Sequence, residues 1–241
     1  MSAEAAANNA DDVGEITGRL PPDPWNDRYE RFIVLATESG RIAGLKEARE
    51  EYFKRTGAAH TDDPDYGLRM SLFLDWFVFQ RKTNGAPTLA ERLLPQTEPE
   101  LRVLERHRHS LFTYHGTKGP FLKLKDWLAD EKIQVHPGPL GQFLEKDQFF
   151  EARVAETEDG HHLFGPVCIH AAESLKPVKK AVKRVRKETK KDPVERTRRG
   201  EEILLLLREL RVKASQYAHV GAKRIYLDGL EKFFSGETTG A

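Results

Sequence analysis

Apolar residues recur at every third or fourth position through the first half of the chain, a spacing that predicts amphipathic helices. The first helix is predicted from Asn26 to about Arg55. Short helices are predicted after Thr88, which begins a T-x-x-E capping box, and over roughly residues 98–110. The sequence therefore predicts a helical region over residues 26–110.

The helix that contains MSLFLDWFVFQR is apolar on nearly all sides. Met70–Phe79 has two polar residues, Ser71 and Asp75, and such a segment is typical of a core helix. Asp75 can be interpreted as a general acid or base whose pKa is raised by burial. We favour a structural interpretation, in which it accepts backbone N–H groups or pairs with Arg81 or Arg92. The residues given structural roles are Ser71, Asp75 and Trp76.

After this region the apolar period changes to two, which predicts short strands. In FLKLK, for example, leucines alternate with lysines. Five such segments fall within about 55 residues and are separated by Gly, Pro and Asp turns, which predicts a small antiparallel β-barrel over residues 111–166. The predicted strands lie near residues 111–114, 121–125, 132–136, 150–154 and 161–164.

Helical spacing returns after Pro166 and predicts C-terminal helices over residues 167–236. Valines mark one face of a basic helix, and Pro193 begins a helix with an apolar stripe. A last helix is predicted at about Ala222–Phe234. The stripe residues are Ile203, Leu206, Leu207 and Leu210. The expected fold class is therefore α+β, with a helical N-terminal half, a five-stranded antiparallel barrel and C-terminal helices.

Composition predicts a different character for the N-terminus and indicates the cellular compartment in which the protein is found. Residues 1–25 contain five acidic residues and one arginine, which predicts a disordered acidic tail. The single cysteine, Cys168, excludes an intramolecular disulfide and fits a reducing compartment. The N-terminus has no secretory signal pattern, and the longest apolar run, Ile203–Leu207, is far too short to cross a bilayer. A cytoplasmic protein without membrane contact is expected.

The histidines and known catalytic motifs give no support for an enzyme. The sequence has no G-x-S-x-G, P-loop or G-x-G-x-x-G motif. The pairs His107/His109 and His161/His162 do not have the spacing from which three or four metal ligands converge. We therefore predict no catalytic residue, no metal site and no cofactor.

The clearest local asymmetry is the basic run Lys176–Arg199, which holds 12 Lys or Arg and three acidic residues within a chain of almost balanced charge. Such a run can bind nucleic-acid phosphates or an acidic protein, with help from outward-facing basic residues of the barrel. Aromatic side chains such as Phe121 or Phe149 could stack on bases. The candidate binding residues are Lys179, Lys180, Lys183, Arg184, Arg186, Lys187 and Lys190 in the run, and Lys123, Lys125 and Arg153 in the barrel.

Two other functions are weighed against this one. In the first, the apolar stripe of the C-terminal helix is the interface of a protein–protein adaptor, and the basic run is only a solvated face. In the second, Asp75 or the histidines serve an enzyme, which we regard as the weakest interpretation. The partner and the oligomeric state are left open.

Five motifs of the chain together resemble those of a family of poorly characterised bacterial proteins. They are LDWFVF, TLAERLL, SLFTY, LKLKDWL and FLEKDQFFEARV, and the resemblance covers roughly residues 65–167. Many members of that family carry a SEC-C module, a small Cys-rich zinc motif that also occurs at the tail of the SecA translocase. The cysteine cluster is absent from this sequence, and Lys146 stands where the family has a glycine. The resemblance implies a helical half followed by a compact β half, and no established activity.

Overall fold

The structure is a computed structural model that describes residues 24–38, 44–83, 85–138, 141 and 143–236. The predicted acidic tail lies outside these residues, except for Pro24 and Trp25, which belong to the first helix. The helices are α1 Pro24–Thr37, α2 Leu45–Thr56, α3 Tyr66–Phe79, α4 Leu89–Leu93, α5 Pro99–Arg102, α6 Leu175–Glu188, α7 Pro193–Gln216 and α8 Ala222–Ser235. The strands are β1 His107–Lys118, β2 Phe121–Asp126, β3 Glu131–His136, β4 Phe149–Thr157 and β5 Gly160–His170.

The helical first half is confirmed, although its first helix is divided. The prediction of one helix to about Arg55 is wrong, because α1 ends at Thr37 and α2 begins after Gly44. Gly44 has a φ of 85°, a left-handed conformation that interrupts a right-handed helix. The capping box at α4 is present: the Thr88 hydroxyl accepts from the Glu91 N–H, and the Glu91 carboxylate accepts from the Thr88 N–H.

The five strands are hydrogen-bonded in the closed order β1-β2-β3-β5-β4, and β4 pairs back to β1 as in a barrel. Four of these pairings are antiparallel, whereas β3 and β5 are parallel where Val135 and His136 face His161 and His162. The expectation of a wholly antiparallel sheet is therefore wrong for one pairing. The predicted mixture of helices and sheet, class α+β, is confirmed.

Two strands are longer than their patterns indicate. Residues 107–110, predicted as helix, belong to β1 and pair with β4. The fifth strand continues through Pro166. Glu151 pairs with Cys168 and Arg153 with Phe164, so the β4–β5 register shifts opposite Pro166. Pro166 thus lies at an irregularity, where a strand tolerates a residue without an N–H donor. The neighbouring Gly165 has a φ of 71°, and a Cβ there would lie 3.0 Å from the Tyr29 ring.

The closed sheet has one core inside and packs against helices outside. Alternate residues of β4, such as Phe150 and Val154, are buried inside the sheet. Those between them, including Glu151 and Arg153, are buried on the outer face under α3 and α7. Helices α1–α5 share one apolar cluster, and α6–α8 form another that includes Phe149. No described helix combines the length and apolar character that a membrane span requires.

Candidate functional site

The basic surface consists of the solvent-facing side of α6 and the outward lysines of β2. Helix α6 contains seven Lys or Arg and a single acidic residue, Glu188. Its valines are buried against α7 and α8, so the helical period of 3.6 turns most basic side chains towards solvent. The exposed lysines of α6 are Lys176, Lys180, Lys183 and Lys187, and the exposed Lys190 and Lys191 follow shortly after it; none of them forms an ion pair with a described residue.

Trp127 and Asp130 join α6 to β2. The ammonium group of Lys179 lies 4.5 Å from the centroid of the Trp127 ring, and that of Lys125 lies 5.8 Å from it. Asp130 binds both Lys125 and Arg186, and these hydrogen bonds lower the pKa of its carboxyl group. The structure thus brings the lysines of the barrel and those of the helix onto the same side of the protein.

The other predicted binding residues divide into exposed and buried ones. Lys123 is exposed on β2, and the half-exposed Arg184 pairs with Glu188. The guanidinium of Arg184 also lies 4.2 Å from the ring centroid of Phe234. Arg153 was predicted to be an outward contact for a partner, and this prediction is wrong. It does point away from the interior of the sheet, but α3 covers it and its side chain is 2% exposed. Phe149, a candidate for base stacking, is likewise a core residue.

The partner of Arg153 is Asp75. Two hydrogen bonds join them, from Nε to Oδ1 at 2.7 Å and from Nη2 to Oδ2 at 2.9 Å. Burial opposes the charge of Asp75, but Arg153 outweighs burial and keeps the pKa of the carboxyl group below its usual value. The expected pairing with Arg81 or Arg92 is wrong: Arg81 binds Glu51 instead. The geometry is that of a buried structural ion pair, as Asp75 was predicted to be structural.

The other two structural residues have simple roles. The Ser71 hydroxyl donates to the carbonyl of Gly67 one turn earlier in α3. Trp76 is a core residue, 3% exposed, and its ring centroid lies 5.3 Å from that of Tyr52. The contacts of both residues therefore stabilise α3 and its packing, and neither residue is assigned to ligand binding.

A second buried ion pair connects β4 with α7. Arg208 donates to the Glu151 carboxylate and also to Tyr52 Oη at 3.2 Å. His109 Nε2 lies 2.7 Å from Glu151 Oε1. Burial alone would raise the pKa of Glu151, but the charge of Arg208 and the hydrogen bonds from Arg208 and His109 keep it far below its usual value. This network attaches α7 and α2 to the outer face of the sheet, where Glu151 of β4 and His109 of β1 lie.

One group of potential metal ligands lies beside this network among the described residues. The donor atoms of Glu151, Cys168 and His170 lie within 4.8 Å of one another. The carboxylate of Glu151 already accepts from Arg208 and His109, and burial raises the pKa of the Cys168 thiol to about 12. A metal needs the thiolate and an available carboxylate, so this arrangement fits a packed core better than a metal site.

The apolar stripe of α7 is not a surface. Its four members are between 0% and 7% exposed and pack with the valines of α6 and with Tyr226 and Leu230 of α8. An adaptor that docks a partner on this stripe is therefore excluded, because its own helices already cover it. The residues concerned are Ile203, Leu206, Leu207 and Leu210.

Sequence reasoning missed Trp127 and Asp130, which connect the two halves of the basic surface. Their signal was present in the sequence, because the turn WLAD follows β2 and its lysines directly. It could be recognised only with knowledge that α6 packs beside this turn, which no local pattern supplies.

Comparison with known proteins gives one match. The model of a family described as a family of unknown function, DUF7986, matches residues 48–200, well over half of the chain. The match supports membership of a poorly characterised family and carries no link to a SEC-C module. No curated protein and no solved structure matches the chain.

Proposed function

Since the chain belongs to the DUF7986 family, whose function is unknown, we propose its function from its geometry: it binds nucleic acid through the basic surface. The observation that carries the proposal is the joining of α6 to β2 through Trp127 and Asp130. It aligns two sets of lysines on one side of the protein. Phosphate contacts by such lysines give affinity without requiring base-specific pockets.

The spacing of the exposed lysines supports a polyanionic partner. Lys176, Lys180, Lys183 and Lys187 follow one another at intervals of three or four residues, so they form a row along α6. Consecutive members of such a row are about 5–6 Å apart. The row contains no acidic residue, and the only acidic side chain of α6, Glu188, is paired with Arg184 and Arg199.

The lack of apolar surface favours nucleic acid over an acidic protein. Protein interfaces usually have an apolar or aromatic centre that is depleted of charge. The large hydrophobic residues that are exposed in the described part of the chain lie outside α6 and β2. They are Val34, Phe143, Val194, Tyr217 and Val220. The basic surface is thus built for charge rather than for apolar docking.

The test is the binding of fluorescent oligonucleotides, measured by anisotropy between about 50 and 200 mM salt. We expect the logarithm of the binding constant to fall linearly with the logarithm of the salt concentration. The triple variant Lys180→Glu, Lys183→Glu, Lys187→Glu should lower the affinity at least tenfold. A matched triple on α2, Lys46→Glu, Lys54→Glu, Arg55→Glu, has the same change in charge and should have a much smaller effect.

Two outcomes would overturn the proposal. One is the absence of salt-dependent binding to duplex and to single-stranded oligonucleotides. The other is an equal loss of affinity in both triple variants, which would show that only net charge matters. Purification from the native cell with and without nuclease would separate a nucleic acid from an acidic protein as the partner. We also propose that the protein is cytoplasmic and that it is related to proteins with a SEC-C module.

A further inference from the structure

A cavity of about 380 Å³ lies beside the basic surface. It is enclosed by the end of α3, the beginning of β1, the turn between β2 and β3, and the first half of α7. Its volume is in the range of about 300–1,000 Å³ that is usual for small-molecule sites. None of the functions considered from the sequence uses this cavity.

Polar atoms without partners are concentrated on the cavity wall. Both amide atoms of Gln80, Nδ1 of His109 and Nη2 of Arg108 are buried and have no hydrogen-bond partner among the described residues. Gln80 is 8% exposed and the His109 side chain 7%. Buried polar groups normally have partners, so a group of unpartnered ones around one cavity indicates a ligand or ordered water.

His109 presents a hydrogen-bond acceptor to the cavity. Burial lowers the pKa of its ring, so the ring is neutral near pH 7. Its Nε2 lies 2.7 Å from the Glu151 carboxylate and therefore carries the proton that it donates. Nδ1 is consequently left with a free lone pair. Glu151 in turn is held by Arg208, so the orientation of the ring is fixed.

The charges on the wall are largely compensated within the protein. Arg153 is paired with Asp75, and Arg108 pairs with Asp126, Glu131 and Glu156. The other two charged residues of the wall, Arg196 and Glu201, have opposite signs. A fitting ligand therefore needs no net charge, but it must offer both donors and acceptors. It must also be compatible with the aromatic residues Phe79 and His107, whose rings are edge to face with centroids 5.0 Å apart.

We propose that this cavity binds a nucleobase. A purine or pyrimidine carries adjacent donors and acceptors on one edge, and a glutamine carboxamide can pair with such an edge through both of its atoms. A ring or exocyclic N–H of the base donates to Nδ1 of His109, and the faces of the base are apolar enough for the aromatic part of the wall. The base comes either from a free nucleoside or from an unpaired position of a nucleic-acid strand.

The position of the cavity connects it with the basic surface. Asp126, Leu128 and Ala129 line the cavity, whereas Trp127 and Asp130 of the same turn hold α6 against β2. Arg196, which also lines the cavity, donates to the carbonyl of Lys190 at 3.1 Å. A strand whose phosphates lie on the basic surface would therefore pass the cavity. In this respect the inference rests on the proposed function and deepens it.

The experiment titrates the four ribonucleosides, one at a time, into the full chain and measures binding by calorimetry or saturation-transfer NMR. Gln80→Met is the main variant, because it keeps the side-chain volume and removes both amide atoms. It should weaken nucleoside binding at least tenfold, while the fold is retained because Gln80 makes no side-chain hydrogen bond within the described residues. The triple variant of the lysines on α6 is the control and should bind nucleosides as the wild type does.

A second arm distinguishes the two sources of the base. Single-stranded oligonucleotides should bind more tightly than duplexes of the same length if the base belongs to a strand, and Gln80→Met should remove that difference. Nucleoside binding without oligonucleotide binding would uphold the cavity and overturn the proposed function. Salt-dependent oligonucleotide binding that is insensitive to Gln80→Met, together with no nucleoside binding, would overturn the cavity and leave the proposed function intact.

Discussion

Asp75 and Arg153 place opposite charges in the core between α3 and β4, where both side chains are at most 2% exposed. Their two parallel hydrogen bonds satisfy the fork of the guanidinium with the geometry that makes such pairs strong. Removing one partner leaves a charge that has lost its hydration and has no counter-ion. The pair therefore holds the two elements in one register more than it contributes net stability.

Replacement of Asp75 by leucine should lower the free energy of unfolding by about 3–5 kcal/mol, because Arg153 is left buried and unpaired. The double variant Asp75→Leu, Arg153→Met should recover much of this loss, since both charges are then absent. Urea unfolding measures each value, and Glu188→Gln on the surface serves as the control, with an expected change of at most about 1 kcal/mol. A double variant no more stable than the single one would contradict a role based on charge pairing.

At the scale of elements, Asp130 limits the positive charge of the basic surface. It pairs with both Lys125 and Arg186 where α6 meets the turn after β2. Both cations are already ordered by this contact, but their charge is partly cancelled for an external anion. An acidic residue at this point therefore weakens the attraction of the surface for phosphates while fixing its shape.

The variant Asp130→Asn should raise the affinity for oligonucleotides by about two- to fivefold and steepen its salt dependence, because two further cations become available to phosphates. Fluorescence anisotropy against salt concentration measures both quantities. Asp159→Asn in the turn before β5 removes the same charge elsewhere and should leave the binding curve almost unchanged. Reduced affinity in Asp130→Asn would mean instead that the contact is needed to hold α6 in place.

Which elements could be predicted depended on how local their signals are. The capping box at Thr88, the helix start at Pro193 and the alternation in β2 are each decided within a few residues, and the structure has all three. The partner of Asp75 lies 78 residues away, and the cover of the α7 stripe comes from α6 and α8. An apolar pattern shows that a face is buried, but not whether another molecule or the same chain buries it.

The candidate site was predictable to the same extent. The lysines of α6 follow from composition and helical period, so their exposure could be predicted. The cavity could not, because Gln80, His109 and Asp126 come from three separate segments and meet only when the sheet closes. Arg153 shows the same limit at one position: its outward direction was right, while the helix that covers it was not visible in the sequence.

On the scale of the whole molecule, the buried histidines predict how stability depends on pH. Burial lowers the pKa of His107 and that of His170 to about 4 in each case. Both rings are therefore neutral in the folded protein at pH values where the unfolded chain, with a pKa of about 6.5, takes up protons. The unfolded state binds more protons in this range, so stability falls as the pH falls.

We expect this loss to begin near pH 6.5, to end near pH 4, and to amount to roughly 3 kcal/mol for each histidine. The variant His107→Gln, whose amide can replace the hydrogen bond to the carbonyl of Leu104, should remove the share of this one histidine, roughly 3 kcal/mol. Urea unfolding at half-unit pH steps measures the slope, and His115→Gln, with an exposed ring, is the control.

The lowered pKa values of Asp75 and Glu151 act in a different pH range, because the stabilisation that they give is lost only below about pH 4. A stability that is constant from pH 7 to 4.5 would contradict the neutral burial of these histidines.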